Sequence, residues 1–182
     1  MQLKTRNNFV DLINKKSLKK GIEIGVQNGN FSDVLLRSTL QKLYLVDCWD
    51  YQPQGYVDGA NVDQNRQNLI YNNIKIKYQN NKRVNIIKDF SINASSLFPD
   101  NYFDFVYIDA NHSFEAVMQD LQSWYPKVKL NGVIAGHDYL DDFASYTKFG
   151  VKSAVDKFFQ LKHKKVMSTM QDVPYISWYC FK

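Results

Sequence analysis

Asp109, His112, His137 and Asp138 are the residues of this chain whose types and spacing suggest chemistry. Phe103-Asp104-Phe105-Val106-Tyr107-Ile108 runs into Asp109-Ala110-Asn111-His112, and Gly132-Val133-Ile134-Ala135 runs into Gly136-His137-Asp138-Tyr139. Carboxylates and imidazoles at such places bind divalent ions or carry protons. Apolar, β-branched and aromatic runs of this length read as buried strands. In an open α/β sheet, ligands sit at the carboxyl ends of the strands. If the two strands are neighbours, all four polar residues meet at one edge of one pocket. Each also has a plainer reading: Asp109 as the cap of the next helix, Asp138 as a turn residue, His112 as a surface histidine. The chain has three histidines, and two of them fall at these strand ends. The third, His163, lies in a lysine-rich stretch and reads as solvent-facing.

The elements that must position these groups follow from periodicity. Phe9 to Leu18 predicts an amphipathic helix, Gly21 to Val26 a first strand, Phe31 to Leu40 a helix, and Lys42 to Val46 a second strand ending at Asp47. Residues 51 to 62 are polar, with Pro53, Gly55 and Gly59, and read as a long loop of the kind used for lids or binding. Val62 to Gln79 predicts a helix and Val84 to Lys88 a third strand ending at Asp89. A short helix over Ile92 to Leu97 would take Ser91 or Asn93 as its cap. Tyr102 to Ile108 is the fourth strand, Phe114 to Trp124 a helix capped by Ser113 with Pro126 at its exit, and Val128 to Ala135 the fifth strand. Gly150 to Leu161 predicts a helix, and Lys165 to Thr169 and Tyr175 to Phe181 an antiparallel pair of edge strands. Alternating strands and helices imply a parallel sheet covered by helices. With no repeat and no linker, residues 1–182 are expected to form one domain.

A second set of signals lies at the ends of the first three strands. Glu23-Ile24-Gly25-Val26-Gln27-Asn28-Gly29 follows the first strand and opens a helix. Gly25 and Gly29, with Gln27 between them, would let backbone approach a ligand closely. The spacing is neither that of a dinucleotide turn nor that of a P-loop, and an ordinary strand-to-helix turn would look the same. Asp47 ends the next strand, 24 residues after Glu23, where an acid accepts hydrogen bonds from ribose hydroxyls. Asp89-Phe90-Ser91 ends the third strand, where a carboxylate and a ring can meet the amino group and face of adenine. Together these predict an adenosine ligand.

Composition narrows the class. Hydrophobic residues make up 45% of 182 residues, which suits a globular fold. No apolar run reaches the ~20 residues that span a bilayer, and the first residues lack a secretory pattern. Cys48 and Cys180 form no framework or Cys-x-x-Cys, so a reducing, cytoplasmic setting is expected. The net charge is +5, but the lysines are scattered. No nucleic-acid or membrane partner is therefore expected, and a basic surface also suits an anionic small-molecule acceptor. Trp49, Tyr51, Tyr56, Tyr139 and Tyr146 flank the proposed pocket and could stack on a sugar ring or simply pack. Trp124 and Trp178 read as core.

Glu23-Ile-Gly-Val-Gln-Asn-Gly-Asn-Phe-Ser32, Leu45-Val-Asp-Cys-Trp-Asp50, Phe103 through Val117 and Gly132-Val-Ile-Ala-Gly-His-Asp-Tyr139 resemble the class I S-adenosylmethionine-dependent methyltransferases. Within that class they resemble the short group related to macrolide-sugar and cephalosporin-pathway metal-dependent O-methyltransferases. The resemblance runs from about Gly21 to Phe159. It implies a Rossmann-like α/β fold with a seven-stranded sheet in the order 3-2-1-4-5-7-6, helices on both faces and an antiparallel last strand. It implies that Glu23 and Gly25 lie near the methionine part of S-adenosylmethionine, that Asp47 binds its ribose, and that Asp89, Phe90 and Ser91 frame its adenine. It places Asp109 and Asp138 at ligand positions for a divalent metal, Mg²⁺ or Mn²⁺, and His112 at the position of the base. His137 falls where those relatives carry a carboxylate. An imidazole suits Mn²⁺ better than Mg²⁺; contact with substrate is the other reading of this residue.

The expected activity is thus metal-assisted O-methylation of a sugar or glycan hydroxyl. A catechol-like small-molecule O-methyltransferase uses the same chemistry on a vicinal diol. A non-catalytic adenosine-binding module of a larger glycan-building protein is the alternative from another class. Amino methylation of nucleic acid is disfavoured, because Asp109-Ala-Asn-His lacks the Asn/Asp-Pro-Pro-aromatic pattern. The acceptor's identity and the oligomeric state, a homodimer among the options, stay open.

Overall fold

The computed structural model describes residues 2–53, 56–142 and 149–182. A 3₁₀ turn at Arg6–Asn8 leads into α1 (Phe9–Lys15) and β1 (Lys20–Ile24). There follow α2 (Asn30–Leu35), β2 (Lys42–Asp47), α3 (Gln64–Tyr78), β3 (Val84–Lys88), α4 (Ser91–Ser95), β4 (Phe103–Ile108), α5 (Phe114–Trp124) and β5 (Val128–Gly136). The chain closes with β6 (Asp141–Asp142), β7 (Phe149–Gly150), α6 (Val151–Gln160), β8 (Met167–Ser168) and β9 (Trp178–Phe181).

The main sheet has seven strands in the order β3-β2-β1-β4-β5-β9-β8. Its first five strands are parallel, and β9 pairs antiparallel with both β5 and β8. This is the expected architecture, with β8 and β9 as its sixth and seventh strands. The order reverses between β1 and β4, so their carboxyl ends diverge and open a crevice there. Backbone bonds hold the rim of that crevice: Gly25 donates to Val46 O at 2.9 Å and Asp109 to Ile24 O at 2.7 Å.

Alternation along the strands builds two cores, one on each face. Phe105, Tyr107 and Tyr179 face α1, α2 and α3, while Val106, Ile108 and Trp178 face α4, α5 and α6. Phe9 of α1 packs edge-on against Phe31, Tyr107 and Tyr179, with ring centroids 5.5–6.4 Å apart. Such aromatic pairs add roughly 0.5–1.5 kcal/mol each beyond the area they bury. Trp124 and Trp178 are core residues, as expected. No helix among the described residues is long and apolar enough to cross a membrane.

Several boundaries differ from the sequence expectation for identifiable reasons. Helix α2 stops at Leu35, not Leu40. Arg83 collects the carbonyls of Leu36, Ser38 and Leu40, and Ser38 Oγ donates to Leu35 O, so these carbonyls have partners without further helix. Helix α4 is capped by Phe90, not by Ser91 or Asn93. The Ser91 hydroxyl turns to Asp120 and Trp124, and Asn93 donates to Asp89. The cap at Ser113 is as expected, its Oγ accepting the Ala116 N–H. The β6–β7 ribbon was not expected, since two-residue strands carry no periodicity. Gly55 and Tyr146 lie outside the described residues.

Candidate active site

A cavity of about 480 Å³ opens at the carboxyl ends of β1 to β4, within the size range of small-molecule sites. Glu23, Gly25, Gln27, Asp47, Asp89, Phe90, Ser91, Asp109 and His112 all line it. Gly29 does not. Its φ of +71° is the left-handed value a glycine supplies freely, and an added Cβ would lie 2.8 Å from Ile74 and 2.9 Å from the Tyr78 hydroxyl. Gly29 therefore serves the packing of α2 against α3. Gly25 (φ +85°) has a similar reason: its Cβ would fall 1.9 Å from the Asp109 carbonyl oxygen. This glycine lets the β1 turn close on the end of β4.

Asp47 is the clasp of the glycine turn. Its Oδ2 accepts the backbone N–H groups of Val26 (2.9 Å) and Gln27 (2.8 Å), and its Oδ1 that of Trp49 (2.8 Å). Gln27 has a φ of +47°, and this pair of bonds holds it there. Asp47 still faces the cavity, and Oδ1 keeps a lone pair for a ligand hydroxyl. Glu23 sits beneath the turn, 1% exposed, and accepts from Ser32 Oγ at 2.5 Å. Burial pushes its carboxyl up to about 8, so at neutral pH it holds a proton.

At the β3 end Phe90 is 47% exposed and lines the cavity wall. Asp89 Oδ1 accepts from Phe90 N and Asn93 Nδ2. The Ser91 hydroxyl is engaged by Asp120 and Trp124 rather than open to a ligand. Asp120 is the residue the sequence reading missed here. It is buried on the cavity wall, and burial pushes its carboxyl up to about 7.

At the β4–β5 end the four opening residues do converge. His112 Nε2 stands 3.1 Å from Asp138 Oδ2 and 3.7 Å from Asp109 Oδ1, and His137 Nδ1 lies 2.9 Å from Asp138 Oδ1. Asp109 and His112 face the cavity, and His137 and Asp138 stand behind them. Two further residues complete the cluster. Asp58, from the long loop after β2, brings Oδ2 to 3.1 Å from His112 Nδ1. Arg6, from the 3₁₀ turn, donates from Nη2 to Asp109 Oδ2 at 3.2 Å, and its Nη1 lies 3.3 Å from His137 Nε2. The guanidinium stacks 4.2 Å above the Phe31 ring. Neither residue carries a local signal, because each contact spans more than fifty residues of chain. Burial alone would lower the His112 pKa, but Asp109, Asp58 and Asp138 reverse this and raise it to about 10. Burial opposes ionisation of Asp109, yet the hydrogen bond from His112 and the Arg6 cation prevail and hold its carboxyl below the ordinary value.

Of the flanking aromatics, Tyr56 lines the cavity. Trp49 does not: it is fully buried, stacked on Tyr71, with Nε1 donating to Gln27 O. Tyr51 and Tyr139 also lie off the cavity wall, Tyr139 donating to Asp156.

Asp109, His137 and Asp138 each offer a ligand atom within 4.8 Å of the others. Two carboxylates and an imidazole suit a transition ion by donor type. The second shell does not suit one. A ligating histidine donates its other ring N–H to an acceptor, whereas His137 Nε2 faces a guanidinium, which has only donors. As arranged, with Arg6 seated, the three residues do not fit a metal through His137.

A seven-stranded sheet in this order, with a turn-and-acid cradle at the ends of β1 to β3, is the fold of the class I S-adenosylmethionine-dependent methyltransferases. The chain belongs to the family described as methyltransferase domain, whose model matches residues 22–139. No curated protein matches it in sequence. Among solved structures it is similar to a Staphylococcus aureus protein assigned as a caffeoyl-CoA O-methyltransferase (TM-score 0.70, 14% identity, 97% of this chain and 82% of that one). It is also similar to an O-methyltransferase from Bacillus cereus in complex with SAH (TM-score 0.66, 14% identity, 97% and 80%). A third is an rRNA methylase from Streptococcus thermophilus (TM-score 0.66, 12% identity, 100% and 99%). At these identities the likeness is one of fold.

Proposed function

We propose that the chain transfers the methyl group of S-adenosylmethionine to a hydroxyl oxygen of a sugar or glycan. The observation that carries this reading is the convergence of Asp109, His112 and Asp138 at one end of the cavity, opposite the exposed Phe90 ring. The Phe90 face is offered to adenine, Asp47 to the ribose, and the Gly25 turn with Glu23 to the methionine part. The sulfonium methyl then points toward Asp109 and His112.

In the reaction a C–O bond forms as the C–S bond breaks, its electron pair stays on sulfur, and the acceptor hydroxyl loses its proton. In-line placement supplies much of the acceleration. Asp109, ionised and facing the cavity, accepts a hydrogen bond from a second hydroxyl of the acceptor and so orients it, leaving the reacting hydroxyl's proton for His112. His112 is the base: its Nδ1 takes the proton once Asp58 has released it, and with the pKa raised to about 10 only a small fraction of the ring is free at neutral pH. The divalent ion expected from the resemblance does not fit the second shell of His137, and the chemistry rests on the side chains alone. Asp58 and Tyr56, both on the loop after β2, form the wall nearest the acceptor.

The test is transfer of radiolabelled methyl from S-adenosylmethionine to a panel of free sugars, glycosides and catechols. Labelled sugar, lost in the His112→Ala variant that still binds S-adenosylhomocysteine, is the expected result. Label on catechols alone moves the chain to the small-molecule class. Tight cofactor binding with no labelled acceptor of any kind favours a binding module.

A further inference from the structure

Arg6 enters the reaction centre from far away in sequence, and the chain is built to deliver it. Its backbone N–H donates to Asp172 Oδ2 at 2.5 Å, and the Lys4 carbonyl accepts from Met170 N and Gln171 N at 2.9 Å each. The segment before α1 is thus strapped to the connection between β8 and β9. The strap aims the guanidinium over Phe31, between Asp109 and His137.

The contact with His137 fixes more than a position. A guanidinium donates and cannot accept, so His137 Nε2 must be the accepting nitrogen. The ring proton then sits on Nδ1, which faces Asp138 Oδ1 at 2.9 Å. In this tautomer Nδ1 has no lone pair for an ion, and Nε2 is covered. Charge points the same way. A dication among Asp109, His137 and Asp138 would lie beside the Arg6 cation, and in a partly buried site that repulsion is only weakly screened.

We propose that Arg6 is the resident cation of this centre: it locks His137 in the Nδ1–H form, orients Asp109, and keeps a divalent ion out. It is a positioning residue, acting through Asp109 and His137. The inference rests on the proposed function only in treating this cluster as a reaction centre, and its test needs no turnover.

The test has two arms. In the first, long-range ¹H–¹⁵N spectra of the wild-type chain, with His137→Gln for assignment, report the His137 tautomer. The Nδ1–H form is expected, and an Nε2–H form overturns the proposal. In the second, Mn²⁺ is titrated into metal-stripped protein and followed by electron paramagnetic resonance. Wild type is expected to take up no stoichiometric Mn²⁺. Arg6→Met, which keeps the stem over Phe31, is expected to gain one ion per chain at least about tenfold more tightly, and to lose it again when combined with Asp109→Asn. One Mn²⁺ bound by wild type with an affinity that Arg6→Met leaves unchanged overturns it, as does an Arg6→Met chain that folds and gains no ion. Should Arg6→Met fail to fold, the tautomer arm decides alone. Either result leaves the methyl-transfer assay free to succeed or fail.

Discussion

His112 Nδ1 lies 3.1 Å from Asp58 Oδ2, while the other face of the same ring lies 3.1 Å from Asp138 Oδ2. One imidazole thus has a carboxylate at each ring nitrogen, Asp58 on the cavity wall and Asp138 buried behind it, with Asp109 a third neighbour. Asp58 belongs to the loop after β2, so this contact ties that loop to the end of β4.

The first prediction concerns that contact. Removing Asp58 as Asp58→Asn takes away one of the groups that raise the His112 pKa, so it falls from about 10 toward the ordinary value. A hydrogen-bonded carboxylate is worth on the order of one pK unit or more. A proton NMR titration of the ring, assigned against His112→Gln, measures the fall. If His112 is the base, the rising limb of the pH–rate profile, along which the base loses its proton, moves to lower pH with it. A wild-type rate flat from pH 6 to 10 would remove His112 from that role.

Glu23 makes stability depend on pH in a definite direction. Its folded-state pKa is about 8 against an ordinary value of 4.5. Between these values the folded chain holds a proton that the unfolded chain has released. Stability therefore falls as pH rises through this window and levels off above pH 8. Glu23→Gln keeps an acceptor for Ser32 Oγ and removes the titration. Urea unfolding at pH 5 and pH 9 is expected to show wild type losing more stability across the window than the variant, by up to a few kcal/mol.

Phe90 separates ligand binding from folding. Its ring is half exposed, so Phe90→Ala should change stability by less than about 1 kcal/mol. Loss of an aromatic face beneath adenine should weaken S-adenosylhomocysteine binding by roughly tenfold, given about 1–3 kcal/mol for a base stacked on a ring. Calorimetric titration and thermal unfolding of the same sample give both numbers. A large loss of stability with unchanged affinity would place the ring in the fold instead.

Much of this protein is legible in its sequence because the signals are short-range. Strand β3 matches its predicted bounds residue for residue, because its β-branched Val84, Ile86 and Ile87 stand between polar stretches that mark both ends. Asp109, His112, His137 and Asp138 could be named as a cluster because two neighbouring parallel strands must end together. The Glu23–Gly29 turn marked one wall of the cavity, but not the division of labour inside it. That Asp47 clasps two backbone N–H groups, and that Gly29 makes room for Tyr78, depends on how α2, α3 and the turn pack.

The sequence by itself determined the alternation of strands and helices and the residues at the strand ends, because periodicity and strand-end chemistry are local; the strand order came from the resemblance to the methyltransferases. Only the tertiary structure decided what those residues are to one another. Arg6 reaches Asp109 across 103 positions and Asp58 reaches His112 across 54, and no local pattern encodes such contacts. They set His112 among three carboxylates, which raise its pKa to about 10, and place His137 Nε2 against a guanidinium.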